Sequence, residues 1–225
     1  MAYSKPNHFI SNSLPKRQEP NHNILYDSDD STPPTLKEAV EDISSVIPEV
    51  MKHVTTAKAE AKYYPDSPLT SDESAAIYLY TMQTEVSPGL NKALRDPNRQ
   101  VRKPWLNFLK LLITALKRLS SIEYKIWRGI NYDATSNFIE GEVCTYLEVS
   151  SWSKKIDCVQ PFVGNAGTLF SIVTSHGKDI SKFSANPDEE EVILMPGTRV
   201  RARSSSFNYP NSLYIIDLEE INDQR

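Results

Sequence analysis

The chain has 225 residues with a net charge of −4, 39% hydrophobic and 24% charged residues, the size and balance of one globular domain with a proper core. That charge excludes a global basic field for nucleic acid or an anionic membrane surface. No apolar run approaches the roughly 18 residues a membrane span needs, and two cysteines are too few for a disulfide scaffold.

Residues 1–33 are rich in Asn, Ser, Pro and Asp and read as a loosely docked arm. Met1–Pro20 lacks the apolar core of a signal peptide, and the last residues, Asn222 to Arg225, form no apolar anchor tail. These features lead us to expect a reduced cytoplasmic protein and a monomer. A leaderless export route and a single bridge between Cys144 and Cys158 both stay open. His8, His22, His53 and His176 are scattered, so no metal is expected.

Helical signals begin after Pro33-Pro34, where Leu36, Ala39, Val40, Ile43 and Ile47 repeat at helical spacing until Pro48. Thr70 to Glu73 fits a capping box ahead of Ala76, Ile77 and Tyr80. A short helix covers Leu90 to Leu94. Trp105, Phe108, Leu109, Leu112, Ile113, Leu116 and Leu119 form the strongest apolar stripe, read as core packing.

From about residue 123 the pattern turns to strands: Glu123 to Ile130, an alternating Glu142 to Ser153, Thr168 to Thr174, Glu189 to Met195 with a Pro196-Gly197 turn, Thr198 to Ala202, and Leu213 to Leu218. Helices first and strands afterwards argue an α+β class. A single domain over 34–225 is expected, helical over 34–121 and with a β core over 122–220.

Three features carry chemistry. Arg128 sits inside the apolar strand Ile126 to Ile130 and needs an anionic partner or an exit to solvent, and Gly129 lets a ligand approach the backbone. Ser151 and Ser153 end an alternating strand, where hydroxyls can bind a ligand or a carboxylate. Glu189, Glu190 and Glu191 run into Val192-Ile193-Leu194, and period two puts Glu189 and Glu191 on one face. Such paired carboxylates suit divided work on charge and proton. No GxGxxG, P-loop or GxSxG occurs.

In this order, Trp127-Arg128-Gly129, Ser151-Trp152-Ser153 and Glu189-Glu190-Glu191 resemble the R-S-E class of arginine-specific mono-ADP-ribosyltransferases, shared by vertebrate ecto-enzymes and bacterial toxins. The flanks Ile180 to Ser184 and Glu191 to Thr198 are similar, as are Leu69 to Thr81 and Leu90 to Arg95, so the resemblance covers about residues 69–218. It implies N-terminal helices on a two-sheet β-sandwich around an NAD cleft, with NAD as cosubstrate and a protein arginine, on another chain or its own, as acceptor.

The resemblance further implies residue roles. Glu191 stabilises the cation that develops on the ribose, Glu189 orients and deprotonates the guanidinium, and Ser151 holds Glu191 or the ribose. Arg128 meets the phosphates or the nicotinamide-side ribose, and Gly129 the nicotinamide amide. Phe162 is a candidate for stacking on nicotinamide, or else a core phenylalanine. Asn91 and Arg95 are candidates for phosphate contacts, and the loop Ser184 to Asp188 for target recognition.

Two departures from the family pattern are Trp152, where a small residue is usual, and Ala185-Asn186-Pro187, where an aromatic is common. Trp152 could crowd the cleft, which keeps open a catalytically inactive NAD- or protein-binding module, and the loop departure leaves the protein substrate open. An NAD glycohydrolase on the same scaffold and a nucleic-acid-modifying relative are further alternatives.

Overall fold

The structure, a computed structural model, describes residues 14–16, 32–164, 167–208 and 213–221. Most of the expected N-terminal arm lies outside the described residues. The described chain divides into two compact units: a helical one comprising 32–120 and Lys178–Asp188, and a β unit comprising 14–16, Ser121–Gly177 and Glu189 onward.

In the helical unit, α1 (Leu36–Ala39) is closed by a Thr35/Glu38 capping box. The stripe from Leu36 to Ile47 does not continue as one α-helix. It tightens into a 3-10 turn at Asp42–Ser45, where the Ser44 and Ser45 hydroxyls bond back to the carbonyls of Glu41 and Asp42 at 2.6 and 2.7 Å. Local serine bonding of this kind competes with the helical ladder. Ile43 and Ile47 stay buried nevertheless.

The chain re-enters helix as α2 (Val50–Glu60), which lies outside the expected elements. The Thr70/Glu73 box opens α3 (Ser71–Thr81) as the spacing predicts. Glu73 is also buried against Arg118 Nε at 3.1 Å. α4 (Val86–Arg95) and the short α5 (Arg99–Arg102) lead to α6 (Leu106–Arg118), whose Phe108, Leu109, Leu112, Ile113 and Leu116 are all buried.

The segment Lys178–Asp188 is tied to this unit. The Ala185 amide donates to Thr81 Oγ1 at 2.8 Å, Asn186 Nδ2 to the Thr81 carbonyl at 3.4 Å, and Lys178 Nζ to the Leu119 carbonyl at 2.7 Å. Burial lowers the Lys178 pKa. Among the described residues no helix is long and apolar enough to cross a membrane.

The β unit contains β1 (Ser121–Ile130), β2 (Val143–Thr145), β3 (Ser150–Ser153), β4 (Thr168–Asp179), β5 (Glu191–Leu194), β6 (Arg199–Asn208) and β7 (Leu213–Glu220), with a short helix α7 (Gln160–Val163) between β3 and β4. The expected strand from Glu142 to Ser153 is split because its halves serve different partners. β2 pairs with β6, whereas β3 pairs with β1 and β5. Between them Tyr146 exchanges hydrogen bonds with Gly197 and Thr198, and Gly197 adopts the positive φ of +91° that this turn requires.

A two-sheet sandwich is the expectation, but hydrogen bonding links the seven strands among the described residues into one sheet in the order β1-β3-β5-β4-β7-β6-β2, with β1 also meeting β4. The long β4 makes this possible. It runs parallel to β7 over Thr168 to Val173 and also neighbours β5 and β1. Ile126, Ile130, Tyr146, Trp152, Phe170, Val192 and Leu194 lie in the main core of this unit.

Candidate active site

Three strands bring the motif residues into register. Trp127 on β1 is opposite Ser153 on β3, and Ser153 is opposite Glu191 on β5. Residues paired across strands point to the same face, so Trp127, Ser153 and Glu191 form a row, with Ser151 one period along β3. Ser153 and Glu191 are fully buried, and Ser151 nearly so. The register makes Ser153 the direct neighbour of Glu191, while Ser151 faces Ile193.

Glu189 is presented differently from the period-two expectation. The strand begins at Glu191, and Glu189 ends a 3-10 turn, Pro187–Glu189. Between them Glu190 takes φ +45°, so strand alternation does not fix the direction of Glu189. Ser153 Oγ donates to the Glu189 carbonyl at 2.7 Å and accepts from the Lys155 amide at 3.0 Å. The Lys155 ammonium beside Glu190 holds that carboxyl below its usual range.

Arg128 is on the opposite face of the strands from that row, between Ile126 and Ile130 of the core. The anionic partner that its apolar strand demands is internal. Its Nη2 donates to Glu148 Oε1 at 2.8 Å, both side chains being about 5% exposed or less. Its Nη1 donates to Ser150 Oγ, which also accepts from the Trp152 indole at 2.9 Å. The guanidinium stands 5.8 Å over the Tyr146 ring, itself edge-on to Trp152.

Trp152 is therefore a core residue on the Arg128 face, turned away from Ser153 and Glu191. Burial raises the pKa of the Tyr146 hydroxyl, which has no hydrogen-bond partner among the described residues. Glu148 and Ser150 are the partners of Arg128; Ser150 belongs to the Ser150-Ser151-Trp152-Ser153 stretch, whereas Glu148 is not among the expected site residues. The available signal was a lone carboxylate inside the apolar stretch Leu147-Glu148-Val149.

Phe162 lies on α7 and is 38% exposed, while Val159 and Val163 are fully buried; it is not a core phenylalanine. Gly129 is buried in β1. Asn91 and Arg95 lie one helical turn apart on α4 of the helical unit, with Asn91 Nδ2 donating to the Tyr80 hydroxyl at 3.3 Å. Cys144 and Cys158 are not joined by a disulfide. Among the described residues no group of three or more His, Cys, Asp or Glu side chains could hold a metal ion.

Comparison with known proteins shows the family that the sequence resembles. A family model described as NAD:arginine ADP-ribosyltransferase matches residues 16–225. A Mycobacterium avium (strain 104) protein named as an NAD(+)--arginine ADP-ribosyltransferase, Mav, is 30% identical over 167 residues, 70% of this chain and 19% of its own. T-cell ecto-ADP-ribosyltransferase 2 of Rattus norvegicus is 46% identical over 141 residues, 59% of this chain and 49% of its own. The chain thus spans about half, or less, of the length of these curated relatives. Among solved structures, the type III effector XopAI from Xanthomonas axonopodis pv. citri has a TM-score of 0.62 at 19% identity, covering 83% of this chain and 86% of that one. This last likeness bears on the fold alone.

Proposed function

This chain belongs to the NAD:arginine ADP-ribosyltransferase family, and from that premise we propose that it transfers ADP-ribose from NAD to arginine side chains of proteins. The observation that carries the reading is the row Trp127, Ser153 and Glu191. A fully buried carboxylate beside a serine hydroxyl is a costly arrangement, and it suits a group that must meet developing positive charge in a water-poor place.

NAD supplies an electrophilic ribose carbon and nicotinamide as the leaving group. The fit of this chain's residues to NAD is supported by two features. Glu191 is held at the start of β5 by its pairing with β3, and Phe162 offers an exposed ring on the helix that follows β3. Glu191 is assigned the stabilisation of charge on the ribose, which strengthens in the transition state. Ser153 and Ser151 orient it, Gly129 receives the nicotinamide amide, and Phe162 stacks on the nicotinamide ring.

Glu189 is assigned the acceptor. A guanidinium has a pKa above about 12, so a carboxylate that pairs with it and takes its proton is needed. For Arg128 the proposed role is support of the β1–β3 wall through Glu148 and Ser150, together with any phosphate contact the expected motif implies. Asn91 and Arg95 remain candidates for phosphate binding, and 34–225 is proposed as the transferase domain.

The test uses labelled NAD with agmatine as the acceptor. Stable ADP-ribosyl-agmatine, lost in Glu191→Gln, is the expected result. Nicotinamide release without an adduct moves the reading to a glycohydrolase, and NAD binding without turnover to an inactive module.

A further inference from the structure

The Glu-x-Glu turn is gripped by the last residue of β3 and the two lysines that follow it. Ser153 Oγ donates to the Glu189 carbonyl at 2.7 Å. The Lys154 amide donates to the Glu190 carbonyl at 3.2 Å. The Glu190 carboxylate reaches back to both lysines, Oε1 to Lys155 Nζ at 2.8 Å and Oε2 to Lys154 Nζ at 3.6 Å. Glu190 is also the one non-glycine among the described residues with positive φ, at +45°. A non-glycine residue holds that conformation only where its surroundings over-determine it, and such strain clusters at functional sites.

The consequences for the two flanking carboxylates differ. Glu191 is fixed by the β3–β5 register and does not depend on the lysines. Glu189 lies before the left-handed residue, so its direction follows from the conformation of Glu190. Released from the lysines, Glu190 relaxes towards extended backbone, and Glu189 rotates away from its present orientation.

We infer that Lys154 and Lys155, acting through Glu190, are positioning residues that decide whether ADP-ribose passes to a guanidinium or to water. The inference rests on the transferase reading. In either outcome the bond from ribose C1′ to the nicotinamide nitrogen breaks, and its electron pair leaves with nicotinamide. The new bond forms from C1′ to a guanidinium nitrogen or to a water oxygen. The acceptor's proton goes to Glu189 in transfer and to solvent in hydrolysis.

The experiment compares Lys154→Gln/Lys155→Gln, Glu190→Gly and Lys154→Arg/Lys155→Arg in the full chain, with labelled NAD and agmatine. Nicotinamide release and ADP-ribosyl-agmatine are measured together, and amide hydrogen exchange is followed over Glu189 to Glu191. In the double Gln variant the ratio of adduct to released nicotinamide is expected to fall about tenfold while nicotinamide release stays within about threefold, since tenfold corresponds to one modest change in orientation energy. Glu190→Gly tolerates the same φ but lacks the ion pairs, and its ratio is expected to fall likewise. The double Arg variant keeps the ratio within about twofold.

An unchanged ratio in the double Gln variant overturns the inference. So does an equal fall of both activities, which marks a merely structural role. If the unaltered chain neither releases nicotinamide nor forms an adduct, the transferase reading fails by itself. Exchange still tests the clamp: amides at Glu189 to Glu191 must exchange faster in the double Gln variant, and unchanged exchange rejects it.

Discussion

Ser153 and Glu191 stand directly opposite each other on β3 and β5, both fully buried, and Trp127 completes the row from β1. Cross-strand partners of this kind have Cβ atoms about 4.5–5.5 Å apart, so Ser153, whose hydroxyl donates to the Glu189 carbonyl, is the neighbour of the carboxylate proposed as the chemical centre. Glu191→Gln keeps the shape and removes the charge. The expected loss of nicotinamide release is about 10²–10³-fold or more, the scale for one electrostatic contact to a developing charge. Ser153→Ala is expected to lose less, since Glu191 stays in register. A Glu191→Gln variant with near-normal nicotinamide release in a labelled-NAD assay contradicts this assignment.

The Arg128–Glu148 pair, 2.8 Å long and buried on both sides, predicts an asymmetry between single and double replacement. Removing one partner leaves a buried charge uncompensated, which costs about 3–5 kcal/mol. Arg128→Met and Glu148→Leu are each expected to lower the urea midpoint strongly. The double variant is expected to recover much of that loss, because two apolar side chains of similar volume replace two desolvated charges. Additive losses in the double variant would show that the two side chains contribute independently.

The same pair explains what was legible in the sequence. Arg128 within Ile126 to Ile130 calls for either an anionic partner or an exit to solvent, and the three motifs in order are readable as residue strings. The partner was not, because Glu148 is brought to Arg128 only when the Glu142 to Ser153 segment breaks into β2 and β3, a split set by the pairing of β2 with β6. Period two extends the strand too far back, to Glu189 and Glu190, since nothing in three consecutive glutamates signals a left-handed residue at Glu190. The Thr70/Glu73 box and the stripe through α6 were legible because both signals are local. The single seven-stranded sheet was not, because pairing between strands remote in sequence leaves no periodic trace.

Phe162 separates binding from stability. It is 38% exposed beside two fully buried valines, Val159 and Val163, so Phe162→Ala is expected to leave the melting temperature almost unchanged, within about 0.5 kcal/mol. If the ring stacks on nicotinamide, it contributes about 0.5–1.5 kcal/mol of aromatic contact, and KM for NAD rises roughly 2- to 12-fold. Phe162→Tyr preserves the contact and the KM. An unchanged KM in Phe162→Ala removes Phe162 from the NAD site.

Acid should open the grip on Glu190 in a defined direction. Hydrogen bonding and charge from Lys155, with a smaller contribution from Lys154, hold the folded-state pKa of Glu190 below its ordinary value of 4.5. A carboxyl lowered on folding contributes stability that is fully present above its unfolded value and is lost as pH falls through the folded one. The lysines stay protonated throughout that window. The difference in melting temperature between the unaltered chain and Lys154→Gln/Lys155→Gln is therefore expected to be constant from pH 7 down to about 5.5 and to shrink below the ordinary carboxyl value of 4.5. These groups are partly exposed, so the difference is small and salt narrows it further. A difference that widens on acidification would mean that the lysines act on the fold through something other than the Glu190 carboxylate.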